Sequence, residues 1–298
     1  MTQSLAPRAE GQQTLRRWAV GVSKNHSVMT ICGVEIAYED TGMGQVVIGL
    51  HATAHGARDF EHLRHQLKDG YRVITLDWPS HGRSGTDSQP FDAVRCTQIL
   101  TAFIEKLNLS QVVIIGCSIG GAAALRYAHA HPENVLAIVV CNAGGLAPVD
   151  TMGKLFCRAM IKLAQAGGDG RVWFKPAFTL FCASVLQTKS ARAQRQRIIE
   201  AASECTVPLA DAWRSFLQPE ADIRELTATL TIPVLYAWAR HDRIVALAPS
   251  LKAIKQTPKH ELVLLNGGHC AFLEDSVNFA SAFQGFVSNL NKTSPSLC

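Results

Sequence analysis

The stretch VVIIGCSIGGAAAL, residues 112–125, decides the fold. It opens on four β-branched residues, the mark of a strand covered on both faces. It closes on alanines and a leucine, which are good helix formers. Between them Gly116, Cys117, Ser118, Ile119 and Gly120 spell G-x-S-x-G. With Gly and Ser each near 7%, that pattern arises by chance about 0.1 times in a chain of this length. Its position between strand and helix is a second, independent condition. A serine in so tight a turn is pushed into a strained, exposed position, and small neighbours avoid clashes.

Outward from this turn, strands and helices alternate. SVMTICG and VEIAYEDTG read as a hairpin joined at Cys32–Gly33. QVVIGLH, YRVITLD, VLAIVVCN, PVLYAWA and HELVLLN are further short strands. AVRCTQILTAFIEKLN, GAAALRYAHAHP and VNFASAFQGFVSNL carry apolar residues at helical spacing. The alternation implies a mostly parallel sheet, expected to have eight strands, with helices on both faces. It breaks between Gly145 and Leu226, where helical patterns run without a strand. In TMGKLFCRAMIKLAQA, residues Met152, Leu155, Phe156, Ala159, Met160 and Leu163 form one stripe. The expected organisation is an N-terminal arm over 1–26, a core over 27–145 and 227–298, and a helical cap over 146–226.

Bulk properties narrow the class. The chain has 298 residues, 47% hydrophobic and 18% charged, enough for a sizeable core. The net charge of +5 is mild, and the basic cluster KSARAQR at 189–195 reads as a solvated helix face. Nothing resembles a nucleic-acid module. No apolar run reaches membrane-spanning length, and the N-terminus lacks the apolar core of a signal peptide. Nine cysteines without a C-x-x-C fit free thiols in a reducing compartment, so a cytoplasmic protein is expected.

A nucleophilic serine needs a base, and the base an orienting acid. His269 follows the last strand and Asp242 the strand before it, at the sheet edge that also carries Ser118. The order Ser, Asp, His is the one that accompanies this turn. Asn142 ends another strand at that edge but cannot serve as a carboxylate. The chain thus resembles the α/β-hydrolase family with a helical cap, over roughly residues 28–291. LDWPSHGRSG, residues 76–85, resembles the family's D-x-P-G-x-G-x-S segment, and GGHCAFLED its G-H-x-x-x-x-E motif, with Glu274 in the acidic place. The resemblance implies a catalytic set of Ser118, Asp242 and His269. It also implies an oxyanion hole from the backbone N–H groups of Thr53 and Ile119. The Thr53 hydroxyl is a candidate third donor. Ala52 and Ser80 stand where the family usually has glycine.

His51 and His55 in GLHATAHGARDF suggest a metal pair only if the segment is helical, and a third ligand is missing. His51 is expected to hold the loop and His55 to rim the pocket. Expected pocket walls are Trp78, Trp173, Phe174, Phe178 and Phe181, with Trp213 and Phe216 further candidates. An apolar pocket of this kind suits a small-molecule ester, thioester or lactone, and no cofactor or metal is required. The alternatives are a carbon–carbon bond hydrolase of the meta-cleavage-product type, an acyltransferase or perhydrolase, and a non-catalytic receptor on the same fold.

Overall fold

The computed structural model describes residues 26–67 and 69–293. The arm expected over 1–26 lies almost wholly outside the described residues. Eight strands form one sheet: β1 (Ser27–Ile31), β2 (Val34–Gly42), β3 (Gln45–Leu50), β4 (Tyr71–Leu76), β5 (Val112–Cys117), β6 (Val135–Cys141), β7 (Val234–Ala239) and β8 (His260–Leu265). Their order is β1-β2-β4-β3-β5-β6-β7-β8. β1 with β2 and β2 with β4 are antiparallel; every other pair is parallel. The β1–β2 turn needs left-handed angles at both loop residues, and Cys32 (φ 48°) and Gly33 (φ 83°) supply them.

Strand β5 explains why its sequence reads as an unbroken apolar run. Val113, Ile115 and Cys117 belong to the hydrophobic cluster on one face, and Val112 and Ile114 to the cluster on the other. Every β5 residue is buried. The first face is covered by α1 (Glu61–Gln66), α10 (Ala271–Glu274) and α11 (Ser276–Thr293) through Leu63, Phe272, Phe279 and Phe283. The second is covered by α2 (Ala93–Lys106), α3 (Ile119–Ala130) and α9 (Leu247–Gln256) through Phe103, Leu125 and Ile254. Burial of each such side chain contributes about 1.5–3 kcal/mol.

Five helices lie between β6 and β7: α4 (Thr151–Gly168), α5 (Phe174–Val185), α6 (Arg192–Ala201), α7 (Thr206–Ser215) and α8 (Arg224–Ala228). Asp150 starts the first by accepting the Gly153 N–H at 2.7 Å. Helices α4 and α7 pack together, as do α5 and α6, while α8 packs on α3 and α9 of the core. Among the described residues no helix is long and apolar enough to cross a membrane. Cys32, Cys96, Cys117, Cys141, Cys157, Cys182, Cys205 and Cys270 are free thiols.

The β5–α3 turn packs closely against the end of β3. A Cβ on Gly120 would lie 2.5 Å from the Leu50 carbonyl oxygen at the end of β3. Gly120→Ala is therefore expected to cost about 1–3 kcal/mol through backbone displacement. Gly285, on α11 with nothing within 4 Å of such a Cβ, is the control. Gly285→Ala is expected to be neutral or stabilising by up to about 1 kcal/mol. Urea unfolding of both variants checks the pair.

Candidate active site

Ser118, Asp242 and His269 follow β5, β7 and β8 at the C-terminal edge of the sheet. Ser118 sits at φ 54°, ψ −118°, the strained geometry the G-x-S-x-G turn predicts. His269 Nδ1 lies 2.8 Å from Asp242 Oδ2, so that carboxylate fixes the ring. Asp242 is itself held firmly. Its Oδ1 accepts the backbone N–H groups of Ile244 (2.7 Å) and Val245 (3.0 Å), and its Oδ2 accepts Asn142 Nδ2–H at 2.6 Å. The Asn142 carbonyl oxygen accepts the Ala239 N–H at 3.1 Å. Asn142, noted in the sequence only as unable to act as an acid, is thus the bracket that holds Asp242. Ser118 and His269 line one cavity, but no hydrogen bond joins them among the described residues. Such contacts often tighten only when substrate is bound.

Two backbone N–H groups lack partners among the described residues: that of Thr53, which lines the cavity, and that of Ile119, next to Ser118. Ile119 opens α3, so its N–H is one of the donors a helix leaves unpaired. The Thr53 N–H stays unused while its neighbours are tied down: Ala54 N–H to His81 Nε2 (3.0 Å), His55 N–H to the Ala52 carbonyl (3.2 Å), Ala57 N–H to Asp77 Oδ1 (2.7 Å). Ala52 keeps ordinary backbone angles; the left-handed positions are Ala54 (φ 63°) and Ser80 (φ 62°).

Buried histidines brace this loop. His51 Nδ1–H donates to the Ala52 carbonyl at 2.7 Å, and its Nε2 accepts the Trp78 N–H at 2.9 Å. His81 Nδ1–H donates to the Pro79 carbonyl at 2.8 Å. In each ring one nitrogen donates and the other accepts, which requires the neutral form. Burial pushes both pKa values down from 6.5 to about 3. His55 Nδ1 lies 2.5 Å from Asp59 Oδ2, and the Gln194 amide also bonds Asp59. The two histidines of GLHATAHGARDF therefore have separate partners and form no common ligand set. Among the described residues no group of three or more side chains is placed to hold a metal.

The cavity holds about 300 Å³. Thr53 and His55 line it with Phe178, Phe181, Trp213 and Phe216. Three expected pocket residues lie elsewhere. Trp78 is fully buried beneath the loop, with its Nε1–H on the His51 carbonyl at 2.9 Å. Trp173 precedes α5 and is half exposed to solvent. Phe174 is buried one turn before Phe178 and stacks on it at 5.5 Å, away from the cavity lining. Sequence reasoning missed Phe156 as a lining residue, although its apolar stripe was visible. Glu274 does more than close a motif. Its carboxylate accepts the Gly268 N–H (2.6 Å) beside His269 and the Gln187 (2.6 Å) and Thr188 (2.9 Å) N–H groups after α5. The His269 N–H donates to the Val185 carbonyl at 2.7 Å. The histidine loop is thereby stitched to the inserted helices.

Comparison with known proteins identifies the family and the fold. The pattern described as the Alpha/beta hydrolase family matches residues 47–282. The chain is 29% identical to the AB hydrolase superfamily protein YisY of Bacillus subtilis, over 89% of this chain and 99% of that one. It is 24% identical to a 2-hydroxy-6-oxononadienedioate/2-hydroxy-6-oxononatrienedioate hydrolase of Cupriavidus pinatubonensis, over 84% of this chain and 89% of that one. An esterase from Exiguobacterium antarcticum superposes with a TM-score of 0.75 at 22% identity, covering 88% of this chain and 99% of that one. The chain belongs to the alpha/beta hydrolase family.

The neutral histidines set an acid limit. Below pH 6.5 the unfolded chain binds protons that folded His51 and His81 refuse. Stability is therefore lost as pH falls from 6.5 towards 3. Between pH 7.5 and 5 the loss is expected to be about 2–4 kcal/mol, at 1.4 kcal/mol per pKa unit for each group. Urea unfolding at the two pH values measures it, and His81→Gln should remove about half of the difference.

Proposed function

We infer that this alpha/beta hydrolase cleaves a carboxylic ester, thioester or lactone with a mainly apolar acyl or alcohol part, through an acyl-enzyme on Ser118. The observation that carries the reading is the meeting of Ser118, His269 and the unpartnered Thr53 N–H on one largely apolar cavity, with the unpartnered Ile119 N–H next to Ser118. His269 takes the Ser118 proton as the oxygen attacks the carbonyl carbon. Asp242, held by Asn142, keeps the imidazole in the tautomer that can accept at Nε2 and stabilises its charged form. The Thr53 and Ile119 N–H groups receive the oxyanion; one such donor is worth about 3 kcal/mol. The leaving group departs with the proton from His269. Water activated by the same ring then frees the acid.

Relatives that cleave dienedioates have anionic substrates by their names. Among the described residues no Arg or Lys lines the cavity here, which favours a neutral substrate. A panel of p-nitrophenyl acetate, hexanoate and decanoate, run beside a 2-hydroxy-6-oxodienoate, tests the reading. Turnover of the esters is expected, with KM falling as the chain lengthens and no measurable dienoate cleavage. Ser118→Ala should lower kcat by about 10³-fold or more. A dienoate turned over faster than any ester contradicts the reading. Thr53→Val keeps the backbone N–H and removes the hydroxyl. It is expected to lower kcat about tenfold with KM unchanged, and an unchanged kcat takes the hydroxyl out of the mechanism.

A further inference from the structure

The exposed apolar side chains are unevenly distributed. Met152, Leu155, Phe156, Val172, Trp173 and Leu180 are all exposed, from 38% for Phe156 to 93% for Val172. All six fall within the α4–α5 hairpin, residues 151–185. On α4, positions 152, 155, 156 and 159 share one stripe, and none of them is buried. A stripe of this kind on a surface helix normally faces the core. Here it faces solvent, while Cys157, Met160 and Leu163 supply the buried side.

The charge is concentrated in the same hairpin. Lys154, Arg158, Lys162, Arg171 and Lys175 stand against the single acid Asp169, a net +4 on these 35 residues when the whole chain carries +5. All five are exposed, and among the described residues none is in an ion pair. By contrast Arg64, Arg72, Arg83 and Arg95 of the core each pair with a carboxylate.

We propose that the α4–α5 hairpin docks on the surface of an anionic lipid bilayer. Large apolar side chains set among unpaired cations are what such a surface takes. The apolar groups enter the boundary between headgroups and acyl chains, and the cations meet the phosphates. The Trp173 indole, with an apolar body and one N–H, suits that boundary. A second copy of this chain is a poorer occupant, because symmetric pairing would set five cations against five. Phe156 is exposed and also lines the cavity, so docking lays this rim of the cavity on the lipid. The proposal does not depend on which bond the enzyme cleaves.

Flotation of the full chain with vesicles is the test. One set is phosphatidylcholine alone; the other is three parts phosphatidylcholine to one part phosphatidylglycerol. At about 0.05 M salt the chain should float with the anionic vesicles at least tenfold more than with the neutral ones. About 0.5 M salt should release it. Tryptophan emission should shift to the blue on binding, and Trp173→Phe should abolish the shift. Leu180→Glu and the pair Lys154→Glu/Lys162→Glu should each weaken binding about tenfold or more, with p-nitrophenyl acetate turnover unchanged. Equal flotation with neutral vesicles, no flotation with either, or full binding by these variants overturns the proposal. So does a concentration-dependent dimer that Leu180→Glu abolishes, which would assign the face to self-association.

Discussion

The site depends on one close approach, between the start of α3 and the end of β3. Gly120 lets the helix backbone come against the Leu50 carbonyl, and Gly116 lets the turn fold on itself, 2.4 Å from the position its own Cβ would take to the Gly120 oxygen. This contact fixes Ser118 in its left-handed geometry. It also sets the position of Ile119 relative to the loop that begins at His51. Ser118 and Ile119 follow β5 while Thr53 follows β3, and the two strands are hydrogen-bonded neighbours in the sheet. Strand register therefore determines the spacing of these groups.

Around this contact each functional group is held by something else. The loop after β3 is braced from the 77–83 segment by His51, His81 and the Asp77 carboxylate, which accepts both the Ala57 and Arg83 N–H groups. Asp242 is gripped by two backbone N–H groups and Asn142. His269 is anchored to the inserted helices through Val185 and Glu274. Preorganised donors and dipoles of this kind need no rearrangement during reaction. The inserted helices thus help to position His269 as well as to wall the cavity.

The parts legible in the sequence share one property: local pattern suffices to place them. β5 announced itself because both its faces are buried. Ser118, Asp242 and His269 could be listed because each follows a strand at the same sheet edge. What escaped depends on packing between distant segments. Trp173, just before α5, and Trp213, in α7, are the same residue type, yet one meets solvent and the other the cavity. Asn142 looked like a failed acid, and its role appears once β6 and β7 bring it to Asp242. The question raised by Ala52 has its answer two residues on, where Ala54 takes the left-handed angle.

The central claim is that Ser118 is a nucleophile activated by His269. Labelling with a fluorophosphonate, followed by peptide mapping, tests it most directly. The account predicts a single adduct on Ser118 in the wild-type chain. It predicts labelling slowed by about 10³-fold or more in His269→Ala, as expected for groups that act as a unit. An adduct on another residue, or equal labelling of wild type and His269→Ala, would contradict it.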